Sequence, residues 1–192
     1  MNSVILISGG YDSISICEER RQNGHLKNDL LIQFIYPHPS MPMEREAVSK
    51  YRTKLALQGV DPAFREIHLP IDGWTPMGIG TGQPGPREVP LRNATMLMVA
   101  AQIAASEGFE SVIIGAVKDD WNDYPDCHPD FFDKLNDITQ IWDVSILAPL
   151  LNVNKTSIKL NPEIKSIAWS CYQPTGNREP CGSCNSCEAR PL

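Results

Sequence analysis

Val4-Ile5-Leu6-Ile7-Ser8-Gly9-Gly10-Tyr11-Asp12-Ser13, read with the helical stretch that runs from Asp12 to about Arg21, decides the fold. Four consecutive branched apolar residues predict a short buried strand, which hands over at once to two glycines and then to a helix. The first backbone N–H groups of such a helix have no acceptor inside it, so they point to where a phosphate would sit. Adjacent glycines permit close approach. Ser8 and Ser13 could donate to phosphate oxygens, and Asp12 could cap the helix or help hold Mg²⁺. The spacing fits neither G-x-x-x-x-G-K-S/T nor G-x-G-x-x-G, so a different nucleotide fold is implied. A plain strand-to-helix turn, with glycines serving only backbone geometry, suits the same residues.

Outward from that turn, apolar runs and helical patterns alternate. Strands are expected at Leu30 to Tyr36, Phe64 to Leu69, Ser111 to Val117 and Ile146 to Leu151. Helices are expected at Glu44 to Leu57, Arg92 to Ser106 and Asp130 to Ile141, with Gly59 and Gly108 as stops. Pro70 to Pro90 holds five prolines and five glycines and reads as a loop. Parallel strands need crossovers, and here the crossovers are helices. The pattern therefore predicts an α/β fold: a doubly wound, mostly parallel sheet of about five strands covered on both faces. Ligands in such sheets bind beyond the carboxyl ends of the strands.

The chain has 192 residues, 42% of them apolar, enough for one substantial core. Its 17 basic and 23 acidic residues give a net charge of −6, which disfavours nucleic acid and anionic membrane and favours a small-molecule substrate. No apolar run approaches the ~20 residues of a membrane span, and the first residues carry no secretory pattern, so the expected address is the cytoplasm.

Four of the six cysteines cluster late in the chain, Cys171, Cys181, Cys184 and Cys187, spaced C-x9-C-x2-C-x2-C. Four thiolates at this spacing favour a closed tetrahedral Zn²⁺ that staples a tail too short to bury its own core. An iron–sulfur cluster is the competing occupant. Cys17, inside a helix, reads as a core residue. The expected division is a nucleotide-binding domain over 1–160 and a small cysteine element over 161–192 packed on it.

Ser8-Gly9-Gly10-Tyr11-Asp12-Ser13 resembles the S-G-G-x-D-S pyrophosphate loop (PP-loop) of the N-type ATP pyrophosphatases, of adenine nucleotide alpha-hydrolase-like fold. Further stretches, in order, resemble the 7-cyano-7-deazaguanine synthases. Val89-Pro90-Leu91-Arg92-Asn93 is similar to the family's V-P-G-R-N, and Tyr124-Pro125-Asp126-Cys127 to its Y-P-D-C-R. Gly115 to Asp120, Ala148-Pro149-Leu150 with Lys155, Ser170-Cys171-Tyr172 and Pro180 to Cys187 complete the match along nearly the whole chain. The resemblance implies an ATP-dependent ligase of queuosine or deazapurine biosynthesis. In it the carboxylate of 7-carboxy-7-deazaguanine attacks ATP, ammonia captures the acyl-adenylate, and the amide is activated again and dehydrated to the nitrile. It implies ATP, Mg²⁺ and Zn²⁺ as cofactors and suggests a homodimer. Alternatives are a reaction that stops at the amide, transfer to another amine, and a non-catalytic zinc module that senses nucleotide.

The expected catalytic residues are Asp12, Asp120 and Lys155, the last as the cation that stabilises the leaving pyrophosphate. Ser8, Gly9, Gly10, Tyr11, Asp12, Ser13, Arg92 and Asn93 are expected to bind ATP, with Arg92 and Asn93 also placed to hold the base. Tyr124 and Asp126 are expected at the substrate, with Trp121 or Tyr124 stacking on it. Three departures limit the carry-over. Tyr36-Pro37-His38-Pro39 replaces the family's Y-G-Q-R-H, Leu91 and His128 stand where it has glycine and arginine, and the stretch between Lys155 and Trp169 is short.

Overall fold

A computed structural model of the chain describes residues 1–69, 90–122 and 124–188. The loop expected over Pro70 to Pro90 therefore lies, apart from Pro90, outside the described residues. Five parallel strands form one sheet: β1 (Ser3–Leu6), β2 (Leu30–Ile35), β3 (Ala63–His68), β4 (Ser111–Ile113) and β5 (Ser145–Leu147). Their spatial order is β3-β2-β1-β4-β5. The chain winds outward from β1 to β3, then returns to β1's other side for β4, so β1 and β4 flank the topological switch point.

Alternation along the strands sorts side chains to the two faces. Val4, Leu6, Leu30 and Ile32 pack with Leu97 and Ala100 of α3 (Arg92–Glu107) and Phe132 and Leu135 of α4 (Pro129–Thr139). Ile5, Ile7 and Leu31 pack on the other face, with Ile14 and Cys17 of α1 (Tyr11–Gln22), Val48, Tyr51 and Leu55 of α2 (Met41–Leu57), and Ile164 of α5 (Pro162–Ile167). Cys17 is fully buried, as a core residue should be. A short helix, α6 (Asn185–Glu188), ends the described chain.

Several boundaries differ from the sequence expectation. β4 stops at Ile113 and β5 at Leu147; the apolar residues beyond β4 continue into the core without a ladder, Ala116 and Val117 being buried. Helix α2 begins at Met41 rather than Glu44, because Pro42 suits a first turn, where no amide acceptor is needed. Gly59 follows the C-cap Gln58 with φ +74°, and Gly108 is itself the C-cap of α3 with φ +77°.

Leu91 is the N-cap of α3 and adopts φ 62°, ψ 10°. That left-handed conformation explains why a glycine suits the position. Its side chain is 71% exposed, so little packing offsets the strain. Left-handed backbone costs a non-glycine residue about 1–2 kcal/mol, and a glycine returns about half of that through unfolded-state entropy. Leu91→Gly should therefore raise stability by about 0.5–1 kcal/mol in denaturant melts, and an unchanged or lower midpoint would contradict the strain.

Candidate active site

The turn after β1 is held by contacts that only glycine allows. Gly9 has φ +83°, and a Cβ there would lie 2.6 Å from the Glu44 carbonyl oxygen. Its own carbonyl accepts a 2.9 Å hydrogen bond from Trp169 N–H, tying the later chain to the turn. Gly115, just past β4, faces α1 from the other side, and a Cβ there would lie 3.1 Å from Ser13 N.

Within the turn Ser8 and Ser13 act as internal braces. The Gly10 N–H donates to Ser8 Oγ at 3.1 Å and the Ser8 N–H to Ser13 Oγ at 3.2 Å, while Ser13 Oγ donates to the Gly10 carbonyl at 3.1 Å. The remaining donors are the first-turn amides of Tyr11, Asp12 and Ser13, which have no intrahelical acceptor. Asp12 does not cap α1; the N-cap is Gly10, and Asp12 lies inside the first turn.

One Asp12 oxygen stands 3.2 Å from Lys155 Nζ, and the other is buried without a protein partner. Lys155 is only 7% exposed, unlike an ordinary surface lysine. Burial works against its ammonium, but Asp12, Tyr172 and Asp120 together hold its pKa above the usual lysine value. The Lys155 backbone N–H is held by Asp119. A fixed cation thus sits at the positive end of α1, an arrangement suited to a polyanion.

Ser8, Gly10, Tyr11, Asp12, Ser13, Arg92, Asn93, Asp120, Tyr124, Asp126 and Lys155 all line one open cavity of about 280 Å³. Gly9 packs behind that wall. Trp121 is outside the lining and packs edge-on to His128 at 6.0 Å, so it is not placed to stack there. His128 caps α4, accepting from Asp130 N–H at 3.3 Å. Burial raises the Asp126 carboxyl, against the pull of Arg92 and a hydrogen bond from the Asn93 backbone N–H that ties Asp126 to the start of α3.

His38, Ser40, Glu44, Tyr172 and Ser186 also line the cavity, and the sequence does not single them out as site residues. Glu44 reads in sequence as an ordinary acid in a helix's first turn, and only the fold turns it inward. Burial lifts its pKa to about 7, partly offset by a 2.8 Å hydrogen bond from Ser40 Oγ and by Arg92. Burial and then Arg92 lower His38 to about 4, so its ring is neutral.

The four tail thiols gather as expected. The Sγ atoms of Cys171, Cys181, Cys184 and Cys187 lie within 4.8 Å of one another, and Cys181 and Cys187 are 3.9 Å apart. Tetrahedral Zn–S bonds of about 2.3 Å place sulfurs about 3.8 Å apart, so the cluster fits a single ion. A hydrogen bond from the Ser183 backbone N–H lowers Cys181 to about 6, which supplies thiolate at neutral pH. No described helix is long and apolar enough to cross a membrane.

A glycine turn at the switch point of an all-parallel β3-β2-β1-β4-β5 sheet, with a lysine at the mouth of its helix, defines the PP-loop class of adenine-nucleotide folds. The U34-tRNA thiolase NcsA from Methanococcus maripaludis, solved with its 4Fe–4S cluster, shares this fold at TM-score 0.51 and 13% identity, covering 87% of this chain and 56% of that one. The family profile of queuosine biosynthesis protein QueC matches residues 81–191. A 7-cyano-7-deazaguanine synthase from a Nitratiruptor species is 31% identical over 99% of this chain and 92% of its own. The 7-cyano-7-deazaguanine synthase 1 of Colwellia psychrerythraea is 32% identical over 97% and 90%, and that of Methanospirillum hungatei 29% over 99% and 93%. The chain belongs to the QueC family, ATP-dependent ligase-type enzymes of queuosine biosynthesis.

The raised Glu44 has a consequence for stability. Its folded pKa of about 7 exceeds the ordinary 4.5, so the native state holds a proton that the unfolded chain releases between those values. Stability from this group is complete below the lower value and is lost as pH rises through the upper one. Glu44→Gln should therefore gain in melting midpoint over the wild type progressively from about pH 5 to pH 8. A constant difference across that range would show that Glu44 is not buried as described.

Proposed function

We propose that the chain converts 7-carboxy-7-deazaguanine and ammonia to 7-cyano-7-deazaguanine, consuming two ATP. The observation that carries this reading is the Lys155–Asp12 pair at 3.2 Å, set at the first turn of α1 within the cavity. A carboxylate oxygen attacks the α-phosphorus of ATP and pyrophosphate leaves, giving an acyl-adenylate. Ammonia attacks the acyl carbon, AMP leaves with the activated oxygen, and a proton is released. The amide oxygen then attacks the α-phosphorus of a second ATP and pyrophosphate leaves; departure of AMP with that oxygen, and loss of both N–H protons, gives the nitrile.

The chain's own part is binding and charge compensation. The amides of Tyr11, Asp12 and Ser13 and the Lys155 ammonium face the departing pyrophosphate, whose charge grows as the bond breaks. Asp12 holds Lys155 in place and keeps one buried oxygen free, which suits Mg²⁺. When bound, that ion supplies further positive charge at the phosphates. Asp120, Asn93 and Tyr124 line the remaining walls, where nucleotide and substrate must meet.

Zn²⁺ in the cysteine cluster serves as a staple. The element it closes packs on the main domain: Trp169 N–H bonds to Gly9, and Tyr172 and Ser186 reach the cavity. We therefore read residues 1–160 and 161–192 as a domain and its dependent element. A homodimer suits the exposed Ile138, Ile141 and Trp142, an apolar patch near edge strand β5. The reading implies a cytoplasmic enzyme acting on small molecules.

Incubation with the carboxylate, ATP and ammonium should yield the nitrile by mass spectrometry; an amide alone means that the reaction stops one step earlier. Lys155→Met and Asp12→Ala should lower carboxylate-dependent pyrophosphate release by about 10²–10³-fold while circular dichroism stays native. Pyrophosphate release that ignores the carboxylate would remove the ligase reading. Metal analysis should find one zinc per chain, lost in Cys184→Ala together with thermal stability; iron with a visible absorption band would instead mean a cluster.

A further inference from the structure

Tyr172 and Ser186 line the cavity although both belong to the cysteine element. Each is the chain neighbour of a cluster thiol: Tyr172 follows Cys171, and Ser186 precedes Cys187. Metal held by the four thiols therefore fixes the backbone beside both hydroxyls. The same element is tied to the phosphate turn. Trp169 N–H donates to the Gly9 carbonyl at 2.9 Å, Trp169 Nε1–H to the Cys171 carbonyl at 2.8 Å, and Cys181 N–H to Cys171 Sγ at 3.2 Å. Tyr172 is thus placed by contacts that run from the cluster to the turn before α1.

The Tyr172 hydroxyl hydrogen-bonds to Ser186, and the charges of Lys155, Asp120 and Arg92 all act on it, that of Lys155 most strongly. Lys155 marks the end of the cavity that faces the phosphates, and Arg92 marks the opposite end. A group that both cations reach lies between the two ends. Ser186 is buried, whereas Tyr172 is 39% exposed on an open cavity, so the serine supports and the tyrosine can touch a ligand. A phenol is also a neutral donor at neutral pH, able to bond an anionic oxygen without giving up its proton.

We infer that Tyr172 is a further catalytic residue, its hydroxyl donating to a non-bridging oxygen of the ATP α-phosphate as the carboxylate attacks, and that Ser186 positions it. The inference rests on the proposed function and deepens it. In that reaction the new carboxylate–phosphorus bond forms between the departing pyrophosphate, on the Lys155 side, and the heterocycle. Charge in such a transfer is spread over the equatorial phosphoryl oxygens, and catalysis is positioning plus electrostatic stabilisation. A donor carried on a metal-closed element and braced by a buried serine is held in place for that task.

The test follows the burst of carboxylate-dependent pyrophosphate release without ammonium, and product formation with it, in wild type, Tyr172→Phe, Ser186→Ala and the double variant. Tyr172→Phe keeps the ring, so zinc content and melting midpoint should match wild type. Its burst rate should fall about 100-fold, with KM for ATP changed less than about threefold. Ser186→Ala should cost about 3- to 10-fold, and the double variant no more than Tyr172→Phe alone, because the serine acts through the phenol. An undiminished burst in Tyr172→Phe overturns the inference. So does a raised KM for ATP at an unchanged burst rate, which makes the phenol a ground-state contact, or a normal burst with slowed capture by ammonium, which moves it to the acyl oxygen. Additive losses in the double variant overturn the role of Ser186. Wild type without carboxylate-dependent pyrophosphate release overturns the proposed function and this inference together, whereas the other results leave that function standing.

Discussion

The mouth of this sheet depends on how closely backbone segments approach at two positions that have no side chain. Gly9 lies under the first turn of α2, with no room for a methyl group, and hands its carbonyl to Trp169. Gly115 lets the end of β4 press against the start of α1. Held from both sides, the first turn of α1 keeps its amides facing the cavity. Rigidity here has an electrostatic consequence, because oriented dipoles in a site poor in water need no reorganisation when charge develops.

The cavity is polarised along its length. At the α1 end, the protonated Lys155 and three free amides give a positive surface that a phosphate chain can use. At the α2 end, Glu44 and His38 are pushed toward neutrality by burial, with the charge of Arg92 acting on both. Desolvation disfavours charge at both ends: at the α2 end it prevails, and at the α1 end Asp12, Tyr172 and Asp120 outweigh it. A ligand carrying an anion at one end and a neutral heterocycle at the other fits that gradient.

The fold is legible in the sequence because its signals are local. The Val4 to Ile7 strand, the Gly-Gly turn and the α3 periodicity each lie within one window of chain, and their alternation fixes a parallel sheet. Strand ends are less legible: Ile114 to Val117 are as apolar as β4 itself, and burial outlasts the ladder. The turn serines read as phosphate donors, yet proximity makes them partners of each other. Glu44 and His38 carry no catalytic motif of their own, since only the fold brings them into one cavity with Arg92, distant in sequence. Lys155 is found only through resemblance; nothing in the residues around it distinguishes it from a solvated lysine.

The bond from Trp169 to Gly9 also orders events in time. Synthesis delivers the glycine turn well before Ser170, Tyr172 and Ser186, which line the same cavity. A nascent chain on the ribosome therefore holds a nearly complete sheet whose crevice still lacks one side. The crevice is therefore complete only once that later segment has emerged and docked on the turn.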